Sequence, residues 1–226
     1  MNTDKIRELI DEFRTVVAGR SNLLDTLVPP LLFVLLNALL GFDYAMWGAL
    51  VIAALFTLLR LLRREPLWYA LGGIGGVLLA ILLVQLLGRA EGYFLPGIIT
   101  GALTLLLCLL SVLVRRPAVA WTSYLARRWP LAWYWHPRVR PAYSEVTWLW
   151  VLFFALRLLL EVGLFQARAA GLLAVAKLLT GWPATIALLI VSYLYGTWRL
   201  RNLGGPSVEE FTAGTPPPWQ GQRRGF

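Results

Sequence analysis

Long apolar runs alternate with short polar gaps along this chain. The runs fall at 24–41, 44–62, 67–87, 93–114, 146–165 and 182–198. Each is close to the ~20 residues a helix needs to cross a hydrocarbon layer. A further stretch, 166–181, is rich in Ala and Leu but shorter, and it is bounded by Arg168, Lys177 and Gly181. It predicts a short interfacial or re-entrant helix on the outer side. Ahead of the first run, Ile6, Ile10, Phe13 and Val17 share one stripe with acids and bases opposite, the pattern of an amphipathic helix lying on a membrane surface. The pattern therefore predicts an all-α protein with three parts: an amphipathic cytoplasmic surface helix over 1–20, a polytopic transmembrane helical bundle of six spans over 21–203, and a Gly/Pro-rich, disordered cytoplasmic tail over 204–226.

Charge gives this bundle a direction. Lys5, Arg7, Arg14 and Arg20 precede the first run, and Arg60, Arg63 and Arg64 close the second. Arg115, Arg116, Arg127, Arg128, Arg138 and Arg140 fill the fourth gap, and Arg199, Arg201, Arg223 and Arg224 follow the last run. The intervening gaps hold only Arg89, Arg168 and Lys177. Basic residues collect on the cytoplasmic side of a membrane, so this alternation predicts both termini in the cytoplasm and an even number of spans.

Composition narrows the function classes. With 58% hydrophobic and 15% charged residues in 226, the chain has no room for a second folded domain beside the spans. A net charge of +9 raises nucleic acid as a partner. The arginines, however, flank apolar runs and do not build one basic face, so a bilayer with anionic headgroups is the expected partner and nucleic acid is not. Cys108 is the only cysteine and cannot form an intrachain disulfide. The first residues mix Asp4, Glu8, Asp11 and Glu12 with bases, unlike a cleaved signal peptide.

Candidate chemistry sits at two levels. Arg157 and Glu161 lie four residues apart on one face of a predicted span, and charges at membrane depth face protein or a wet cavity. Arg89 and Glu91 fall in a gap at the same outer level. Arg89, Glu91, Arg157 and Glu161 thus form the predicted polar cluster. On the inner side, 117–145 interleaves Trp121, Trp129, Trp133 and Trp135 with arginines. Amphipathic rings and guanidinium groups suit the headgroup layer. This predicts a surface helix over 118–129, with Arg63, Arg64, Arg115, Arg116, Arg127, Arg128, Trp129 and Trp133 as lipid-headgroup or partner-binding residues. Gly72, Gly73, Gly75, Gly76, Gly97 and Gly101 would let helices approach closely, within one chain or between copies in a homo-oligomer. Enzyme signatures are thin. His136 is the only histidine, Cys108 has no basic neighbour in its run, and neither a paired Cys/His set nor a phosphate loop is present. No catalytic residue, metal ligand or cofactor is assigned, and the sequence favours a non-enzymatic protein.

Several blocks carry a likeness. Arg63-Arg64-Glu65-Pro66 with Ala70-Leu71-Gly72-Gly73, Gly88-Arg89-Ala90-Glu91-Gly92-Tyr93-Phe94-Leu95-Pro96-Gly97, Val114-Arg115-Arg116-Pro117, Ala142-Tyr143, Thr147-Trp148-Leu149-Trp150 and Phe154-Ala155-Leu156-Arg157-Leu158 together resemble an uncharacterised, mostly actinobacterial family of multi-span membrane proteins, domain of unknown function 3159. The resemblance covers about 20–198 and implies a multi-pass protein of the bacterial inner (plasma) membrane. It brings no activity, ligand or cofactor. The expected role is structural or scaffolding, with a membrane or cytoplasmic protein partner. The alternatives are a small-solute or ion transporter or channel using the outer charged cluster, and a lipid-modifying membrane enzyme.

Overall fold

A computed structural model describes residues 35–36, 39–40, 42–62, 67–222 and 225–226. All regular structure among these residues is helical, in agreement with the all-α expectation. The helices are α1 (Phe42–Leu62), α2 (Leu67–Leu87), a 3-10 helix (Ala90–Phe94), α3 (Leu95–Leu113), α4 (Ala118–Arg127), α5 (Leu131–Tyr134), α6 (Arg140–Gln166), α7 (Ala170–Thr180), α8 (Trp182–Leu203) and α9 (Val208–Thr212). The expected amphipathic helix over 1–20 lies outside the described residues, as does almost all of the expected span at 24–41.

The number of spans is corrected. Among the described residues three stretches are long and apolar enough to cross a membrane, not six: Ala90–Leu113, Arg140–Gln166 and Ala170–Leu203. α1 and α2 carry shorter apolar stretches among the described residues, Leu50–Leu59 and Gly75–Leu87. The expected spans at 93–114 and 146–165 coincide with the first two stretches, the first beginning three residues earlier and ending one residue earlier, the second extended at both ends. The expected span at 182–198 is part of the third, which begins at Ala170 and takes in the segment expected to be a separate outer helix. The even-span topology built on six crossings falls with that count. The outward faces of these helices are apolar. On α6, Trp148, Leu152, Leu156 and Leu159 form an exposed stripe at helical spacing, and on α3 Ile99, Leu103, Leu106, Leu107 and Leu110 do the same. Such faces are stable against lipid tails and unfavourable against water.

The described chain falls into two compact units. One takes in the residues up to Leu95 together with Ala170–Ala174, and the other Pro96–Ala169 together with Val175–Phe226. In the first, α1 packs on α2, and α2 packs on the 3-10 helix. Two glycines allow the second contact. Gly88 ends α2 in the left-handed region (φ 62), where a side chain is disfavoured. Gly92 lies against the α2 backbone so closely that an added Cβ would sit 3.0 Å from Val84 Cα and 3.1 Å from Leu83 O. Behind it Glu91, Tyr93 and Phe94 are buried.

In the second unit α6 packs against α4 and α8. The ends of α3, α4 and α6 are each closed by an arginine in the left-handed region: Arg115, Arg128 and Arg168. After Arg115 the chain turns at once into α4, and Ser111 Oγ caps the new helix by accepting from Ala118 N at 2.9 Å. The α4–α6 contact is tied by Val119 N donating to Thr147 Oγ1 at 3.3 Å. The α6–α8 contact is tied by Trp150 Nε1 donating to Ser192 Oγ at 3.0 Å. Glu145 adds a clamp to this pair of helices, accepting from Arg199 Nε at 2.7 Å, Arg199 Nη2 at 2.8 Å and Tyr195 Oη at 2.8 Å.

The arginine-rich end of this unit is a folded aromatic core. Ala120, Trp133, Tyr134, Val139, Ala142, Tyr143 and Leu200 are buried together, with Tyr124, Trp129, Trp135, Phe211 and Phe226 packed around them. The segment from Gly204, expected on composition to be disordered, meets this core through Pro206, Val208, Phe211 and Phe226, while 212–218 are exposed. Trp133 Nε1 donates to Pro206 O at 2.9 Å. Ser207 and Glu210 close a capping box on α9. Trp219 packs edge-on against His136, and Arg138 lies 5.5 Å over the Trp219 ring.

Candidate functional site

The site is built on the C-terminal half of α6. Arg157 and Glu161 share one face of the helix, as their four-residue spacing requires. Arg157 Nε donates to Glu161 Oε1 at 2.8 Å. The second carboxylate oxygen is taken by a residue that single-helix spacing does not reveal: Lys177 Nζ donates to Glu161 Oε2 at 2.7 Å. Arg157 Nη1 also reaches Thr180 O at 3.3 Å, joining the triad to the end of α7. Glu161 is 2% exposed, so its charge depends on both cations. A carboxylate in a low-dielectric interior is tolerated only when it is paired and hydrogen-bonded.

Gly97 makes room for this arrangement. A Cβ at that position would lie 3.0 Å from Lys177 Nζ, so the ammonium crosses α3 where α3 has no side chain. Three of the other expected packing glycines do not work this way. A Cβ at Gly75, Gly76 or Gly101 would meet nothing within 4 Å, so they mark no close helix approach among the described residues.

The remaining predicted cluster residues belong to the other unit. Arg89 is the N-cap residue of the 3-10 helix, and Glu91 is buried within it. The structure thus joins Arg157 to Glu161 and adds Lys177.

The inner set divides in two. Arg115 and Arg116 are exposed. Arg116 lies 4.3 Å over the Trp135 ring, and Trp135 packs on the exposed Trp121. Arg128 is exposed as well, with its guanidinium 6.0 Å over Tyr124. Arg127 and Trp129 are half-buried and face the folded-back 204–226 segment, with Arg127 Nε donating to the Phe226 backbone oxygen at 3.2 Å. Trp133 is fully buried. It is a core residue and not a contact surface, because its ring fills the interior and its N–H is spent on Pro206. Arg63 and Arg64 lie outside the described residues.

Electrostatics in this end follow burial. Burial pushes the Tyr134 hydroxyl above its usual range, against the opposing hydrogen bond to Ser123 and the charge of Arg127. Burial and the nearby Arg138 charge push His136 below its ordinary value, and its Nδ1 accepts from Arg138 N at 3.2 Å, as a neutral ring must. Among the described residues no three His, Cys, Asp or Glu side chains gather in a metal-binding group.

Comparison with known proteins gives one match. The profile of the family described as "Protein of unknown function (DUF3159)" matches residues 17–200. No curated protein and no solved structure matches the chain.

Proposed function

Because this chain belongs to the uncharacterised DUF3159 family and carries three apolar helices of membrane-crossing length, we propose that it is a non-enzymatic structural protein of the membrane, a scaffold that holds a folded arginine–tryptophan end at the bilayer surface. It is a multi-pass protein of the bacterial inner membrane. The observation that carries the reading is the state of Glu161. Both of its oxygens are occupied, by Arg157 and Lys177, and the carboxylate is buried. A site for a passing solute needs a charge that can exchange partners, whereas a closed triad fixes helices.

The arginine-rich end faces the cytoplasm on this reading. Exposed Arg115, Arg116 and Trp121 then sit where α3 leaves the hydrocarbon, within reach of anionic headgroups. Arg115 holds φ 58, a conformation glycine would adopt at lower cost. A charge kept there in spite of the backbone is in keeping with a headgroup contact.

Proteoliposomes test the role. The wild-type chain is expected to give no uptake of chloride, sodium or potassium above empty vesicles. Glu161→Gln is expected to lower the unfolding temperature in detergent. Uptake that Glu161→Gln removes at unchanged stability would overturn the structural reading in favour of a transporter.

A further inference from the structure

An aromatic row links α4 to the turn after α5, with an arginine at each end. The Arg116 guanidinium lies 4.3 Å from the centre of the Trp135 ring. Trp135 meets Trp121 with centroids 5.7 Å apart, and Trp121 meets Tyr124 edge-on at 6.1 Å. Arg128 stands 6.0 Å over Tyr124. The row is fixed from behind, because Tyr124 and Trp135 pack on the buried cluster around Trp133 and Tyr134.

A guanidinium seated on a ring by its face keeps its edge free, and the edge carries all of its N–H donors. Arg116 and Arg128 are both exposed. Among the described residues neither has a carboxylate partner, the ion pairs there being Arg157–Glu161, Lys177–Glu161 and Arg199–Glu145. The chain holds no Asp or Glu between Glu91 and Glu145, so the row is cationic without internal compensation. Its level is set by its neighbours. Leu113 and Val114, exposed and apolar, come directly before Arg115 and Arg116 at the end of a stretch of membrane-crossing length. On α4 the exposed Leu125 follows the exposed Trp121 by four residues, on one face. A surface helix of this kind sinks its apolar face into the acyl boundary and holds its cations at the phosphates.

We propose that this row is a binding site for anionic phospholipids, with one headgroup phosphate seated at Arg116 and another at Arg128 while Trp121 and Leu125 enter the acyl boundary. A planar guanidinium fork takes two phosphate oxygens at once, and its ring seat fixes the direction from which they come. Phosphatidylglycerol suits the row better than phosphatidylethanolamine, whose ammonium group finds no carboxylate there and sits beside two cations. The inference deepens the scaffold reading and rests on its placement of this end at the bilayer surface. An arginine that only complements a helix dipole or adds diffuse charge would be replaced by lysine without loss, and that difference separates the two.

The test uses the full chain in detergent, mixed with equal amounts of dioleoyl phosphatidylglycerol and dioleoyl phosphatidylethanolamine, with retained lipids counted by native mass spectrometry. The wild type is expected to keep phosphatidylglycerol severalfold over phosphatidylethanolamine. Arg116→Lys and Arg128→Lys are each expected to lower that retention severalfold, because an ammonium makes no planar two-point contact. Trp135→Leu is expected to do the same with every cation in place. If that chain has lost its fold, by near-ultraviolet circular dichroism, the two lysine variants at exposed positions carry the test. Inorganic phosphate or hexaglutamate at the lipid concentration is expected to displace nothing. Equal retention of the two lipids overturns the proposal. Full retention in either lysine variant overturns the seat at that arginine, and in both it overturns the site, leaving a diffuse attraction that Arg116→Gln still reduces. Displacement by phosphate overturns the lipid assignment in favour of a soluble phosphate compound, and displacement by hexaglutamate overturns it in favour of an acidic polypeptide. Ion uptake reads the scaffold role and lipid retention reads the row, so the two fail separately.

Discussion

Lys177 and Glu161 meet at 2.7 Å although they stand sixteen positions apart. Their contact closes the turn between α6 and α7 from the inside. Removing one partner of a buried ion pair leaves the other charged and desolvated, at a cost of about 3–5 kcal/mol. Glu161→Gln and Lys177→Met are each expected to destabilise strongly. The double variant is expected to lose less than the sum, with a coupling of about 0.5–3 kcal/mol. Thermal unfolding of the four chains in one detergent checks this, and strict additivity would show that the contact carries no energy.

Backbone proximity ranks the glycines. At Gly92 a Cβ meets rigid α2 backbone at 3.0 Å, and at Gly181 it meets Lys177 O at 2.6 Å. Gly92→Ala and Gly181→Ala are expected to lose about 1–3 kcal/mol through forced overpacking. Gly75→Ala and Gly101→Ala have open space around them and are expected to gain about 0.5–1 kcal/mol from reduced chain freedom. Opposite signs in one denaturation series are the result to look for.

At Arg115 stability and binding should separate. Arg115→Gly relieves the left-handed backbone and is expected to stabilise the fold by about 1 kcal/mol. It is also expected to reduce the phosphatidylglycerol retained on the protein in native mass spectrometry, and Arg116→Gln likewise. Unchanged lipid retention in both would remove the headgroup contact from the proposed role.

Acid should loosen the 204–226 segment in two steps. The pKa of His136 is lowered in the folded protein. The stability it contributes is therefore present above its ordinary value of 6.5 and is lost as pH falls from 6.5 through the folded value. Protonation of Nδ1 also ends its acceptance from Arg138 N. Glu210 is likewise lowered by the Ser207 and Gln220 backbone N–H groups, so its contribution is present above 4.5 and is lost below that. Hydrogen exchange over 207–212 is expected to quicken first below pH 6.5 and again below 4.5. His136→Gln should abolish the first step alone.

Much of this was legible in the residues. Arg157 and Glu161 fall on one face by spacing, and the helix expected over 118–129 is found at Ala118–Arg127. Lys177 was not legible, because a cation that returns across a turn has no periodic signature. Trp133 was misread for a different reason. Aromatic rings beside arginines have the composition of a headgroup layer, and only the folded-back 204–226 segment turns that composition into an interior. Glu145 and Arg199 were legible as charges but not as a pair, since they come from α6 and α8.

Gly181 has a consequence for length. The stretch Ala170–Leu203 is 34 residues long, which as one straight rod would measure about 51 Å against a hydrocarbon layer of about 30 Å. The break after Thr180 divides it, and the 22 residues of α8 already reach about 33 Å. The surplus eleven residues of α7 are thereby freed from spanning duty. They serve as an internal counterweight, carrying a positive charge back to neutralise a carboxylate that the bilayer would otherwise expel.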